Sequence, residues 1–195
     1  MTAQKEYKFE EESLPTRTRI MNAALVLFIT YGFDKTTTDK IAKRAGVSAG
    51  LMYNYFKSKN ELIHEMVHQA MVMAERGLEK VSEIKDPISF LKRSVTGLSS
   101  IRAEEDTLIP KLIQLVQVQS ESYPEAAEII RNFHKKVTDV LADKFIELGS
   151  TNPRLDAMLL QATTTGIRNE YFLLGDSYPL KEMIDITIKK LLPLA

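Results

Sequence analysis

The chain has 195 residues, no cysteine, a formal charge of zero and an apolar share ordinary for globular proteins. That composition excludes a disulfide framework and any thiolate metal site, fits a reducing cytosol, and supports a packed core rather than disorder. The charge is uneven: residues 15–60 hold eight Lys or Arg against two Asp, while residues 1–14 hold two Lys against four Glu. A basic segment joined to an acidic remainder is the electrostatic footprint of a module that binds a polyanion.

In chain order, the glutamate-rich residues 1–14 read as a flexible tail. Ile20, Ala24, Leu27, Phe28 and Tyr31 then recur at helical spacing, and Gly32 stops that helix. The apolar run Ile20 to Phe33 is too short for a bilayer, which needs about 20 such residues, and no cleavage site follows it. Thr37 or Thr38 can cap a short second helix that stops at Gly46. Ser48 can cap a third to about Phe56, and Ser58 a long fourth. Pro87, Pro124, Pro153 and Pro179 mark first turns of later helices, and a break is expected near Glu104 to Asp106. Strand alternation is nearly absent. The expectation is an all-α protein of about nine helices, three short ones within residues 15–62 and six longer ones within 63–195.

The short helices carry a pattern with chemical content over residues 37–56. Ile41, Ala42, Ala45 and Val47 form an inner face, and Gly46 stands where a left-handed backbone lets the chain reverse. Met52 and Phe56, one turn apart, would anchor the third helix to the second. Ser48, Ala49, Gly50, Tyr53 and Asn54 then face outward. A helix entering the major groove needs a narrow leading face, which Ala49 and Gly50 supply. Tyr53 and Asn54 can meet bases, and Tyr55, Lys57 and Lys59 can reach phosphates.

These residues carry a resemblance. Thr16 to Leu62 resembles the DNA-binding domain of the TetR family of bacterial regulators. The matching positions are Ile20, Ala23, Ala24, Leu27, Phe28, Tyr31 to Phe33, Thr37, Thr38, Ile41, Ala42, Ala45 to Ser48, Gly50, Tyr53, Tyr55, Phe56, Ser58, Lys59, Glu61 and Leu62. The resemblance implies that Thr38 binds a phosphate, that Ser48 to Leu51 and Tyr53 face bases, and that Tyr55 and Lys59 clamp the backbone. Asp39 stands where many members carry a residue able to touch DNA; an acid would repel phosphate there, so it is outside the contact set. The family also implies a cytoplasmic repressor that binds a palindromic operator as a homodimer and is released by a small molecule. No cofactor, metal, membrane or catalytic residue enters that expectation.

One motif points elsewhere. His64-Glu65-Met66-Val67-His68 matches the HExxH pattern of zinc hydrolases, with two histidines on one helical face and a glutamate as general base. A third ligand is missing: the one remaining histidine is His134, at no metzincin spacing, and Glu79 or Glu83 would lie on the same continuing helix. A helical zinc hydrolase is therefore the alternative, and a regulator the favoured reading.

The later helices suggest two further tasks. Leu155, Met158, Leu159, Ala162 and Gly166 line one face of the eighth helix, and Ile184, Ile188 and Leu191 belong to a two-faced last helix. A helix pair apolar nearly all round needs a second surface, as in a symmetric dimer. Gln114 and Gln117 interrupt an apolar run, and Arg168 interrupts the eighth helix. Polar groups in apolar surroundings need partners, which makes these three candidate contacts for an effector. Helix four, starting directly after the reading helix, is the expected lever between such an effector and DNA.

Overall fold

The structure, a computed structural model, describes residues 14–100 and 108–192. Residues 1–13 of the expected tail and the expected break at Glu104 to Asp106 lie outside that range. Among the described residues the chain forms nine α-helices and no strand. They are α1 (Thr16–Tyr31), α2 (Thr38–Arg44), α3 (Ala49–Tyr55), α4 (Lys59–Ser82), α5 (Pro87–Thr96), α6 (Leu108–Val118), α7 (Pro124–Glu147), α8 (Pro153–Leu174) and α9 (Leu180–Leu191). None of them is long and apolar enough to cross a membrane.

The helix ends follow from side chains that satisfy free backbone groups. Gly32 ends α1 at φ 79°, a conformation that favours glycine. Thr37, Ser48 and Asp86 accept hydrogen bonds from the amides of Lys40, Leu51 and Ser89, which starts α2, α3 and α5. At α4, Ser58 Oγ accepts from the Glu61 amide at 3.0 Å while the Glu61 carboxylate accepts from the Lys57 amide at 2.6 Å, a reciprocal cap. Each such cap contributes about 1 kcal/mol.

The chain divides into two compact units, with boundaries inside α4 and inside α7. The first holds residues up to Ala70 together with Leu108–Glu128, and so includes α6. The reason lies in α1. Ile20, Ala23, Ala24, Leu25, Val26, Leu27 and Phe28 are all buried, a surface too wide for α2 alone to cover, and α6 packs against it as well. Phe33 then stacks edge-on between Phe28 and Tyr123, with ring centroids 4.9 and 4.7 Å away.

The second unit has its own core, built from α5, α7, α8 and α9. Phe90, Leu91, Val95, Leu141, Phe145, Ala157, Leu160, Ile167 and Ile184 are buried together there. Truncating a side chain such as Phe90 in a core of this kind costs about 3–5 kcal/mol.

Candidate nucleic-acid interface

The helix-turn-helix is locked from below by α1. The Val47 amide donates to the Ala42 carbonyl at 3.0 Å as the chain reverses through Gly46 at φ 65°. Arg19 Nη2 donates to the carbonyls of Ala45 and Gly46 at 2.5 and 3.2 Å. A Cβ at Gly46 would stand 2.9 Å from that nitrogen, which could swing aside only by giving up these bonds, so glycine is favoured here chiefly for its backbone angle. Ile41, Ala42, Met52 and Phe56 are buried as expected. Arg17 lies over the Phe56 ring, 5.1 Å from its centroid, and pairs with Glu65 at 2.9 Å.

What this scaffold presents is the outer face of α3. Ser48, Ala49, Gly50, Leu51, Tyr53, Asn54 and Tyr55 are all exposed. A Cβ at Gly50 would meet nothing within 4 Å, so the glycine serves no internal packing and leaves the leading face narrow. Tyr53 is 44 % exposed although large and aromatic, and its hydroxyl lies 3.1 Å from Thr38 Oγ1. That contact joins the start of α2 to the outer face of α3. Thr37, whose hydroxyl caps α2, is exposed beside it. Asp39 lies in the first turn of α2, where an acid suits the helix dipole.

The basic residues divide into two groups. Lys59 is half-buried, and its ammonium donates to the Phe33 carbonyl at 2.6 Å. It therefore secures the start of the α1–α2 connection, a role that spacing alone does not reveal. Arg17, Arg19 and Lys40 are likewise engaged with the protein, Lys40 through the Lys35 carbonyl at 2.9 Å. Lys43 and Lys57 stand exposed on the same unit.

The zinc motif is used differently. His64 and His68 do share a face, with parallel rings 6.4 Å apart. Glu65 accepts from Arg17 and from Gln69 Nε2 at 2.8 Å. Burial pushes its pKa up, but those bonds outweigh burial and hold the carboxyl below the usual range. A carboxylate committed to two donors is poorly placed to activate water. Among the described residues no three His, Cys, Asp or Glu side chains gather as metal ligands.

The remaining candidates are scattered. Gln114 and Gln117 are exposed on α6, whose buried face is Leu108, Leu112 and Val116. They are the outer side of an amphipathic helix rather than polar groups among apolar ones, which removes the reason for expecting a ligand there. Arg168 is different: it is half-buried in the second unit, and its Nε is closed to solvent without a hydrogen-bond partner among the described residues. Leu155, Met158, Leu159, Ala162 and Gly166 form a continuous exposed stripe along α8, with Leu155 at 65 %. Ile184 falls out of that set because it is buried in the core of its own chain, and Ile188 and Leu191 pack against that core.

The second unit also holds contacts that spacing does not show. Thr138 Oγ1 lies 2.7 Å from Gln161 Oε1, and Gln161 Nε2 lies 3.1 Å from His134 Nδ1. This polar seam joins α7 to α8 across more than 20 residues of sequence. The only signal for it in the sequence is His134 and Thr138 at i, i+4 amid apolar positions.

Residues 20–66 match the family model described as bacterial regulatory proteins, tetR family. The HTH-type transcriptional regulator UidR of Escherichia coli K12 is 30% identical over 137 residues, which span 69% of this chain and 67% of UidR. The chain belongs to the TetR family. This TetR-family protein is a DNA-binding transcriptional regulator with an N-terminal helix-turn-helix and a helical second domain. Its fold matches Salmonella enterica GusR at TM-score 0.64 and 25% identity, covering 93% of this chain and 97% of GusR. Bacillus subtilis FadR, solved with stearoyl-CoA, matches at TM-score 0.69 and 21% identity, covering 89% and 96%.

Proposed function

We propose that this TetR-family regulator is a cytoplasmic repressor that binds a palindromic operator as a homodimer and releases it when a small molecule occupies the second unit. The observation that carries the DNA half is the exposed outer face of α3, small at Ala49 and Gly50, where a Cβ on the glycine would meet nothing, and aromatic at Tyr53. In this reading Ser48 to Leu51, Tyr53 and Asn54 face bases. Thr37, Thr38, Tyr55 and Lys57 hold phosphates, and Lys59 contributes only through donors not spent on Phe33.

The exposed α8 stripe is the proposed dimer face. A second copy supplies a surface for Leu155, Met158 and Leu159, and Ala162 and Gly166 permit close approach of the two helices. Two reading helices then meet half-sites one helical turn apart, about 34 Å, a spacing that tolerates little change. Helix α4, which begins at Lys59 and has residues in both units, is the proposed lever. An effector that favours the non-binding spacing by a few kcal/mol empties the operator. FadR, with its bound stearoyl-CoA, is an instance of the same fold holding a small molecule.

Selection of bound sites from random DNA tests the DNA reading. The expected result is an inverted repeat. Sedimentation of Gly166→Leu tests the dimer: monomer is expected, and a well-folded dimer would place the interface elsewhere.

A further inference from the structure

Arg168 is the second unit's unexplained charge. Its Nε is closed to solvent and has no hydrogen-bond partner among the described residues. Burial pushes its pKa down, and among the described residues no carboxylate opposes that shift. A guanidinium nitrogen closed to water with no acceptor is costly to leave so, and an anion that meets the half-buried side chain would offset that cost.

The surroundings favour an anion. A groove of about 590 Å³ runs along α7 and α8, lined by His134, Lys135, Thr138, Gln161, Thr165 and Asn169 together with Met158, Ala162 and Gly166. Its polar lining has one cation, two amides, two hydroxyls and an imidazole, and no acid. Arg168 stands beside this groove, next to Asn169 in the chain and one turn from Thr165, and its charge acts on His134. The His134 ring and the Gln161 amide are fixed by their mutual contact and by Thr138, so the seam is ordered before any ligand arrives.

We propose that the small molecule sensed by the second unit carries an oxyanion, a carboxylate or a phosphate, and that Arg168 is its counter-ion at the α7–α8 seam. The inference rests on the ligand-responsive reading above and specifies its chemistry. A planar guanidinium offers two parallel N–H donors to such a group, which a neutral ligand cannot use as fully. The apolar rim of the groove, Met158, Ala162 and Gly166, belongs to the face proposed for the second copy. Dimerisation would thus enclose the anion, which strengthens its attraction to Arg168 by excluding water.

Thermal unfolding of the full chain and of Arg168→Met tests the proposal, with benzoate, phenyl phosphate and neutral benzamide as probes at fixed pH and ionic strength. Without a probe, Arg168→Met should melt no lower than the parent, because it loses an unpaired charge and keeps the side-chain length. At least one anion should raise the parent's Tm by several degrees and leave the variant unmoved, and the larger of the two responses names the oxyanion. Benzamide should shift neither protein. A fall in Tm or loss of dimer mass in unliganded Arg168→Met would overturn the proposal, since Arg168 would already be paired within the assembly. So would an absent response to both anions, or an equal response in parent and variant. Operator affinity measured with the active anion separates this from the underlying reading. An Arg168-dependent anion that leaves affinity unchanged keeps the site and removes the ligand switch. A neutral compound that releases DNA from parent and variant alike keeps the switch and removes the anion.

Discussion

Two arginines summarise two kinds of surface. Arg19, under the helix-turn-helix, ends on the carbonyls of Ala45 and Gly46, so its charge is consumed in making the turn. Arg168, in the second unit, ends with Nε on no partner among the described residues. The first is satisfied by the fold itself and the second is not. Where a chain's own atoms complete a polar group, the role is structural. A buried group left incomplete points outside the chain, here to an anion.

The sharpest way to break this contrast is at Gly46. Gly46→Ala forces an L-residue to φ 65° and places Cβ against Arg19 Nη2. The backbone cost alone is about 1–2 kcal/mol, and displacement of Arg19 adds to it. Chemical denaturation should show a loss of at least that size together with loss of DNA binding. If stability were unchanged, the arginine lock would not be needed.

The next effect is on recognition rather than stability. Tyr53→Ala should weaken the best operator by roughly 1–3 kcal/mol and random DNA far less, with Tm nearly unaltered because the ring is exposed. An equal loss on both DNAs would make Tyr53 a backbone contact held by Thr38.

The helix-turn-helix was largely legible from sequence because its constraints are local. Thr37, Gly46, Ser48, Met52 and Phe56 act within a few residues of themselves, through caps, one left-handed turn and one-turn packing. Lys59 shows where that stops. Its ammonium crosses 26 residues of sequence to the Phe33 carbonyl, and nothing in the spacing distinguishes this from a phosphate contact. The inclusion of α6 in the first unit was hidden for the same reason, since α1 recruits a partner far along the chain. In the second unit the polar seam of His134, Thr138 and Gln161 depends on how α7 and α8 register, which composition does not encode. Ile184 illustrates the remaining ambiguity, because an apolar residue on a two-faced helix looks alike whether its own core or a second copy covers it.

Lys57 and Lys59 sharpen the distinction between binding and building. Lys57→Ala should lower the slope of log affinity against log salt by about one and leave Tm unchanged. Lys59→Ala should lower Tm, because the Phe33 carbonyl loses its donor, with a smaller change in slope. Identical behaviour of the two variants would erase the division.

The smallest expected effect is a pH dependence in the second unit. Burial first, and then the Arg168 charge, holds the His134 pKa below its ordinary value. Above about pH 6.5 the ring is neutral in both native and unfolded chains. As pH falls below that, the unfolded chain takes up a proton that the native state resists, so stability is lost on acidification. His134→Asn should lose less stability than the parent between neutral and mildly acidic pH in parallel melts. A greater loss in the variant would reverse the sign and contradict a buried neutral ring.

Whether α3 reads DNA sequence is decided by one titration. The parent protein is titrated onto a labelled site selected from random DNA and onto a scrambled duplex of the same length, across a series of salt concentrations. The selected site should bind at least about a thousandfold tighter, with log affinity falling steeply and linearly in log salt on both duplexes. Equal affinity for the two at every salt concentration would contradict it, because the exposed face of α3 would then grip phosphates without reading bases.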